Sequence, residues 1–126
     1  MSDQKWQILI VEDEYDSMQM VTAILRFHNI GVLLAHNGRE CLELLDNNAV
    51  TLVLTDLSMP EMDGWETLNA IRANPRTKMI PVVAISAYHS VEVAEKALTA
   101  GFNGFYAKPV SAKTFVQNLE KLISAQ

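Results

Sequence analysis

Five short apolar runs divide the chain. They lie at residues 8–11, 32–35, 52–54, 82–85 and 104–107. Each run is apolar without alternating polar residues, which is typical of strands covered on both faces by other elements. The pattern therefore predicts a parallel β-sheet, with a helix in every gap between strands and a further helix after the last strand.

Apolar and small residues recur at helical spacing in these gaps. The stripes consist of Met18, Val21, Leu25 and His28 in the first gap, Gly38, Cys41, Leu42 and Leu45 in the second, Ala94, Ala97, Leu98 and Gly101 in the fourth, and Phe115, Leu119, Leu122 and Ile123 at the end. A third helix is expected over residues 65–72 and closes before Pro75, because the residue preceding a proline avoids the α region. Five β-α units with right-handed crossovers predict a doubly wound α/β fold with strand order 2-1-3-4-5.

Composition and charge narrow the class of protein. The 126 residues are 49% hydrophobic and 20% charged, which fits one domain spanning residues 1–126. The sequence shows neither a signal peptide nor a membrane span, and the single cysteine excludes a disulfide framework and a multi-cysteine zinc site. We therefore expect a cytoplasmic protein that does not enter a membrane. The formal net charge of −5 argues against nucleic acid as a partner.

Acidic side chains follow two of the predicted strands. Glu12 and Asp13 come directly after the first strand, and Asp56 follows the third. In a doubly wound sheet these carboxyl ends meet at the switch point between strands 1 and 3. Three carboxylates in a partly buried pocket repel one another unless a cation or a proton intervenes. All of these ligands are oxygen atoms, and they leave coordination positions for water and phosphate. This ligand set predicts Mg²⁺, for which Mn²⁺ could substitute.

Strands 4 and 5 end in a hydroxyl group and a positive charge. Ser86 closes strand 4, and Lys108 follows strand 5 beside the expected position of Asp56. A metal ion, a lysine and a hydroxyl group would together neutralise the equatorial oxygens of a transferring phosphoryl group. The pattern therefore predicts Asp56 as a nucleophile that attacks phosphorus in line.

With these residues in place, the sequence resembles the receiver domains of bacterial two-component response regulators, including the single-domain chemotaxis regulator. The blocks that carry the resemblance are residues 8–14 (ILIVEDE), 55–64 (TDLSMPEMDG) and 84–87 (AISA), with Ala100-Gly101 and Lys108-Pro109. They occur in order, at receiver-like spacing, over essentially the whole chain. The resemblance implies a flavodoxin-like fold. The short segment after Pro109 leaves room for the last helix, so a single receiver domain without an output domain is expected.

The resemblance also implies roles in metal binding and phosphorylation. Asp56 is the expected phosphoacceptor, and Asp13 and Asp56 are the expected direct carboxylate ligands of Mg²⁺. Glu12 is expected to act through water, and the backbone carbonyl of Ser58 is expected to complete the protein ligands.

Three further positions match the family's switch. Ser86 corresponds to the residue that turns toward the phosphoryl group on activation, and Lys108 to the lysine that contacts it. The Lys108–Pro109 peptide bond is expected to be cis. Phe105 corresponds to the rotating switch aromatic, where many relatives have tyrosine, so the hydroxyl group is missing here.

The function that the resemblance implies is a phosphorylation-operated switch. A histidine kinase or a histidine phosphotransfer protein donates the phosphoryl group, and the domain catalyses only its own phosphorylation and dephosphorylation, so it is not an enzyme acting on other substrates. A separate downstream effector reads a conformational shift at the face of helix 4, strand 5 and helix 5, in a monomer or a phosphorylation-dependent dimer. Candidate residues on that face are Val91, Glu95, Tyr106, Ala107 and Lys113.

Three other functions are compatible with this architecture. One is a receiver-like docking module that works without phosphorylation, although the complete set of site residues argues against it. A flavodoxin-type carrier of FMN is disfavoured, because Glu12-Asp13-Glu14 would repel the phosphate of the cofactor. A phosphohydrolase with an aspartate nucleophile would usually have a second acid at the position of Ser58.

The remaining reactive side chains are expected to be structural. The histidines at positions 28, 36 and 89 are scattered over helix ends and a loop and share no strand end. Cys41 lies on an apolar helix face and is expected to be a small core residue. Glu14 is expected to favour the first turn of helix 1 through the helix dipole.

Overall fold

Five strands alternate with five helices in the computed structural model, which describes residues 6–88 and 90–125; the prediction for His89 lies outside the described residues. The strands are β1 (Gln7–Val11), β2 (Gly31–Ala35), β3 (Leu52–Asp56), β4 (Val82–Ser86) and β5 (Gly104–Ala107). The helices are α1 (Tyr15–Phe27), α2 (Gly38–Asn47), α3 (Gly64–Ala73), α4 (Val91–Ala100) and α5 (Ala112–Ser124). Among the described helices, none combines the length and apolar character needed to cross a membrane.

The strands form one parallel sheet in the order β2-β1-β3-β4-β5, which confirms the predicted topology. The register aligns the carboxyl ends of the central strands. Val11 pairs with Thr55, so the residues after β1 lie beside Asp56, and Asp56 in turn pairs with Ile85. Because β4 pairs with β5 through Ser86 and Ala107, Lys108 emerges at the same edge.

Side chains of each strand alternate between two apolar layers. Leu9 and Val11 belong to the layer completed by α2, α3 and α4, whereas Ile8 and Ile10 belong to the layer completed by α1 and α5. All four side chains are fully buried. Helices therefore cover both faces of the sheet, as the uninterrupted apolar runs predict.

Two residues of the predicted helix stripes do not face the sheet. His28 lies one residue beyond the end of α1 and is exposed. Leu98 is 55% exposed, whereas its neighbour Ala97 is fully buried, so α4 presents a small side chain to the layer beneath it. Helical spacing finds the correct face of each helix, but it does not locate the end of α1 or the edge of the buried stripe on α4.

Candidate functional site

Side chains from two strand ends meet in one acidic cluster. Glu12 and Asp13 follow β1, and Asp56 ends β3. One carboxylate oxygen from each residue lies within 4.8 Å of the other two. Glu12 and Asp56 are buried, and Asp13 is exposed. The predicted convergence of the three carboxylates is confirmed.

The donor set suits a small divalent cation. Three carboxylate oxygens at these separations can share one hard ion, and the exposed side of Asp13 leaves access for water. A cleft opens beside this cluster and is lined by Asp13, Ser58, Pro60 and Trp65, among others. The arrangement therefore fits Mg²⁺, which retains several water ligands when bound by proteins.

Lys108 places its ammonium group among the carboxylates. Its Nζ donates a hydrogen bond to Asp56 Oδ2 at 2.8 Å and lies 2.7 Å from Glu12 Oε1. The side chain is only 13% exposed. Burial by itself lowers the pKa of Lys108, but the adjacent carboxylates of Asp56 and Glu12 outweigh burial and raise the pKa above its usual value. The peptide bond between Lys108 and Pro109 is cis, as predicted.

Burial changes the protonation of Glu12. Loss of water around this side chain raises its pKa from 4.5 to about 7, and the negative charge of Asp56 acts in the same direction. The hydrogen bond with Lys108 and the backbone N–H of Glu14, which donates to Glu12 Oε2 at 3.1 Å, act in the opposite direction. In the metal-free protein, burial therefore disfavours the charged form of Glu12 and raises its pKa.

Local backbone contacts fix the position of Asp56. The backbone N–H of Ser58 donates to Asp56 Oδ1 at 3.1 Å, and the Thr55 hydroxyl donates to the Asp56 backbone oxygen at 3.0 Å. With Lys108 bound to Oδ2, each carboxylate oxygen of Asp56 accepts one hydrogen bond. This arrangement orients the carboxylate toward the cluster before any ligand binds.

Ser86 lies at the end of β4 with its hydroxyl group already engaged. Its Oγ accepts a hydrogen bond from the backbone N–H of Tyr88 at 3.0 Å, and its side chain is buried. The backbone oxygen of Ser86 accepts from the N–H of Lys108 at 2.9 Å. The first turn of the loop after β4 is thus tied to the strand end by the serine hydroxyl.

The two aromatic residues of β5 belong to opposite layers. Phe105 is half-buried and packs on the layer of α2, α3 and α4. Tyr106 packs on the other layer, edge to face with Phe115 at a centroid distance of 5.7 Å. Phe105 is thus the aromatic side chain of β5 that lies on the same side of the sheet as α4.

Glu14 is a site contact that the sequence reasoning missed. Its Oε1 lies 3.5 Å from Lys108 Nζ and accepts a hydrogen bond from the Ser17 hydroxyl at 2.9 Å. The expectation that it favours the first turn of α1, in preference to a metal contact, is therefore incomplete, because Glu14 also contacts Lys108. The position of Glu14 immediately after Asp13 could have predicted this contact, because a third acid at the end of β1 can reach Lys108.

The histidines and the cysteine lie elsewhere, within the part of the chain that the structure describes. His36 Nδ1 is 3.0 Å from Glu40 Oε1 on the surface, and His28 Nδ1 is 3.0 Å from the backbone oxygen of Ile24. Cys41 is fully buried in the layer of α2, and burial raises the pKa of its thiol to about 12. Cys41 is therefore a core residue, as predicted.

Comparison with known proteins gives one family. The family described as "Response regulator receiver domain" matches residues 8–120. An uncharacterized 14.6 kDa protein in the sodA1 3′ region of Leptolyngbya boryana is 32% identical over 90% of this chain and 87% of its own length. The transcriptional regulatory protein ZraR of Escherichia coli is 39% identical over 93% of this chain, which spans only 26% of that protein.

Solved structures show the same fold. Chemotaxis response regulator CheY4 of Vibrio cholerae has a TM-score of 0.86 and 26% identity, covering 94% of this chain and 99% of that chain. The receiver domain of sensor histidine kinase PA1611 from Pseudomonas aeruginosa has a TM-score of 0.87 and 26% identity, covering 96% and 99%. That receiver domain has a magnesium ion coordinated in its active site cleft.

Proposed function

Because this chain belongs to the response regulator receiver domain family, we propose that it accepts a phosphoryl group on Asp56 from a phosphohistidine-bearing protein. The observation that carries the proposal is the contact of Lys108 Nζ with Asp56 Oδ2 at 2.8 Å inside a cluster of carboxylates. A lysine so placed can bind the phosphoryl oxygens that arrive at Asp56. The donor is a histidine kinase or a histidine phosphotransfer protein.

Mg²⁺ is part of this proposal. Asp13 and Asp56 would bind the ion directly, Glu12 would act through water, and the backbone carbonyl of Ser58 would complete the protein ligands. The 4.8 Å carboxylate cluster and the magnesium ion of the similar PA1611 receiver domain support this assignment. When bound, Mg²⁺ neutralises charge on the transferring phosphoryl oxygens, and Mn²⁺ could substitute.

The transfer step exchanges one bond to phosphorus for another. A carboxylate oxygen of Asp56 bonds to phosphorus while the phosphorus–nitrogen bond of the phosphohistidine breaks. The electron pair of that bond stays on the imidazole nitrogen, which takes up a proton. Lys108 then contacts a phosphoryl oxygen, and Ser86 donates its hydroxyl hydrogen to another. Later, water attacks phosphorus and releases inorganic phosphate and the Asp56 carboxylate.

A surface of α1 beside the site is available for the donor protein. Met20 is 49% exposed and borders a cavity of about 130 Å³ that is also lined by Val21, Pro109 and Val110. Lys108 lines the same cavity, so this apolar surface leads directly to the phosphorylation site. A donor protein that covers Met20 would exclude water from the reacting groups.

Output would occur at the face of α4, β5 and α5. Tyr88, Val91 and Leu98 are 75%, 76% and 55% exposed, so the region around α4 offers apolar surface to an effector protein. Ser86 holds the Tyr88 N–H and Phe105 packs on the layer of α4. Movement of Ser86 toward the phosphoryl group, with rotation of Phe105, would therefore alter this surface. The proposal places the domain in the cytoplasm, where the Cys41 thiol stays reduced.

Incubation with acetyl phosphate and Mg²⁺, followed by intact mass measurement, tests the proposal. We expect one added phosphoryl group that disappears on hydroxylamine treatment and is absent in Asp56→Asn. Asp46→Asn is the matched control, because Asp46 is an exposed acid of α2 whose ion-pair partner is Arg76 at 3.9 Å. Phosphoryl addition that persists in Asp56→Asn, or none in the wild type, would contradict the proposal and favour a phosphorylation-independent docking module.

A further inference from the structure

Three carboxylates surround the ammonium group of Lys108, and Asp56 accepts a hydrogen bond from it. An ammonium group carries three N–H donors and no acceptor. The oxygens around Nζ are Glu12 Oε1 at 2.7 Å, Asp56 Oδ2 at 2.8 Å and Glu14 Oε1 at 3.5 Å. A phosphoryl oxygen that binds Lys108 must therefore displace one of these partners.

Glu14 is the partner that is easiest to displace. Its contact is the longest of the three, and its side chain is 70% exposed, whereas the side chains of Glu12 and Asp56 are 1% and 9% exposed. A carboxylate leaving Lys108 from this position regains water at once, so its release costs little. If Lys108 left Glu12 or Asp56 instead, a buried carboxylate would remain without a counter-ion in a pocket with little water, which costs more free energy.

The carboxylate of Glu14 is also held in place for this contact. The Ser17 hydroxyl, one turn along α1, donates to the same Oε1 atom at 2.9 Å. Although Glu14 is the N-cap residue of α1, within the described residues its side chain accepts no capping hydrogen bond from the helix. Its Oε1 atom therefore bridges the first turn of α1 and Lys108.

We infer that Glu14 occupies the position on Lys108 that a phosphoryl oxygen later takes, and that its charge makes the site selective against free anionic phosphodonors. The inference rests on the proposed phosphorylation of Asp56. A small dianion such as acetyl phosphate must approach this exposed carboxylate and replace it at Lys108. A docked donor protein can screen the charge of Glu14 with its own surface. The electrostatic repulsion by Glu14 therefore slows phosphorylation mainly by small-molecule donors.

Phosphorylation rates with two small donors test the inference. At saturating Mg²⁺ and low ionic strength, we expect Glu14→Gln to react about fivefold faster than wild type with acetyl phosphate, a dianion near neutral pH. With phosphoramidate, which is a monoanion there, the gain should be about twofold, because the repulsion scales with donor charge. High salt should reduce both gains.

Glu43→Gln is the matched control, because Glu43 is an exposed acid of α2 and pairs with no cation among the described residues. Its rates should stay within about twofold of wild type, since an unpaired surface charge is strongly screened. Equal acceleration in Glu43→Gln, or no acceleration in Glu14→Gln while the wild type is phosphorylated, would overturn the inference. If neither the wild type nor Glu14→Gln is phosphorylated by either donor, the proposed function itself fails. Circular dichroism and the thermal midpoint establish that both variants are folded.

Discussion

Gly64 packs its α-carbon against the backbone carbonyl of Asp56. A β-carbon at position 64 would collide with the Asp56 oxygen and would approach the Leu57 α-carbon to 2.8 Å. The N–H of Gly64 donates to the Leu57 oxygen at 3.0 Å, so the start of α3 is joined to the end of β3. Glycine at this position therefore lets α3 begin directly beside the strand end that carries Asp56.

Gly64→Ala should lower the free energy of unfolding by about 2 to 3 kcal/mol. Both obstructing groups are backbone atoms, which cannot turn aside as a side chain can. Urea denaturation monitored by circular dichroism measures the loss. Gly104→Ala is the control, because its tightest contact is the flexible end of Leu122 at 3.2 Å. It should cost less than about 1 kcal/mol; an equal loss in both variants would contradict the steric explanation.

Thr22→Val should stabilise the protein by about 1 kcal/mol. Thr22 is 3% exposed, and in the described structure its hydroxyl oxygen has no hydrogen-bond partner. Valine has nearly the same shape and removes the cost of burying that hydroxyl group. Thr77→Val is the matched control, since the buried Thr77 hydroxyl donates to the Ile71 oxygen at 2.8 Å. That substitution should destabilise by about 1 kcal/mol, so thermal unfolding should shift in opposite directions for the two variants.

The sequence is sufficient to predict the parts of the fold that depend on short-range patterns. Uninterrupted apolar runs identify the strands, and the order 2-1-3-4-5 follows from the handedness of β-α units. Once that order is given, Asp13 and Asp56 must emerge at the same edge of the sheet. The convergence of the carboxylates is therefore a consequence of topology and needs no knowledge of side-chain positions.

Contacts that depend on side-chain reach are not encoded in such patterns. Glu14 lies in the sequence like any acid at the start of a helix, and only the path of Lys108 from β5 brings the two together. The same applies to Arg72, which has the appearance of an ordinary charged residue near the end of α3. Its hydrogen-bond partners lie in loops that are distant in sequence. The spacing of apolar residues does not predict the backbone path of those loops.

Arg72 joins three segments through its guanidinium group. Nη1 donates to the backbone oxygens of Lys78 and Ile80 at 3.0 and 2.7 Å. Nη2 donates to the Gly101 oxygen at 3.1 Å and to Asn103 Oδ1 at 2.8 Å. The end of α3, the entry to β4 and the loop before β5 are thus held by one side chain.

Arg72→Met should reduce the free energy of unfolding by about 3 kcal/mol, because partly buried carbonyl oxygens lose charged hydrogen-bond donors. Arg76→Met is the control, because Arg76 is exposed and its ion pair with Asp46 spans 3.9 Å. A change of less than about 0.5 kcal/mol is expected there. Chemical denaturation that gives similar midpoints for the two variants would contradict the role assigned to Arg72.

Protonation of Glu12 would link the proposed Mg²⁺ site to pH. The pKa of Glu12 in the metal-free protein is raised from 4.5 to about 7, chiefly by burial. In the absence of metal, the stability that protonation of Glu12 contributes is fully present below pH 4.5 and is lost as pH rises through about 7. Mg²⁺ favours the charged carboxylate, so its binding below pH 7 must release a proton.

Mg²⁺ affinity should therefore fall about tenfold between about pH 8 and about pH 6, because the fraction of ionised Glu12 falls by that factor. Trp65 lines the same cleft as Asp13 and Ser58, so its fluorescence can report the titration. Glu12→Gln should bind Mg²⁺ more weakly but with little pH dependence over this range. A wild-type affinity that stays constant from about pH 8 to about pH 6 would show that Glu12 is already ionised before the metal binds.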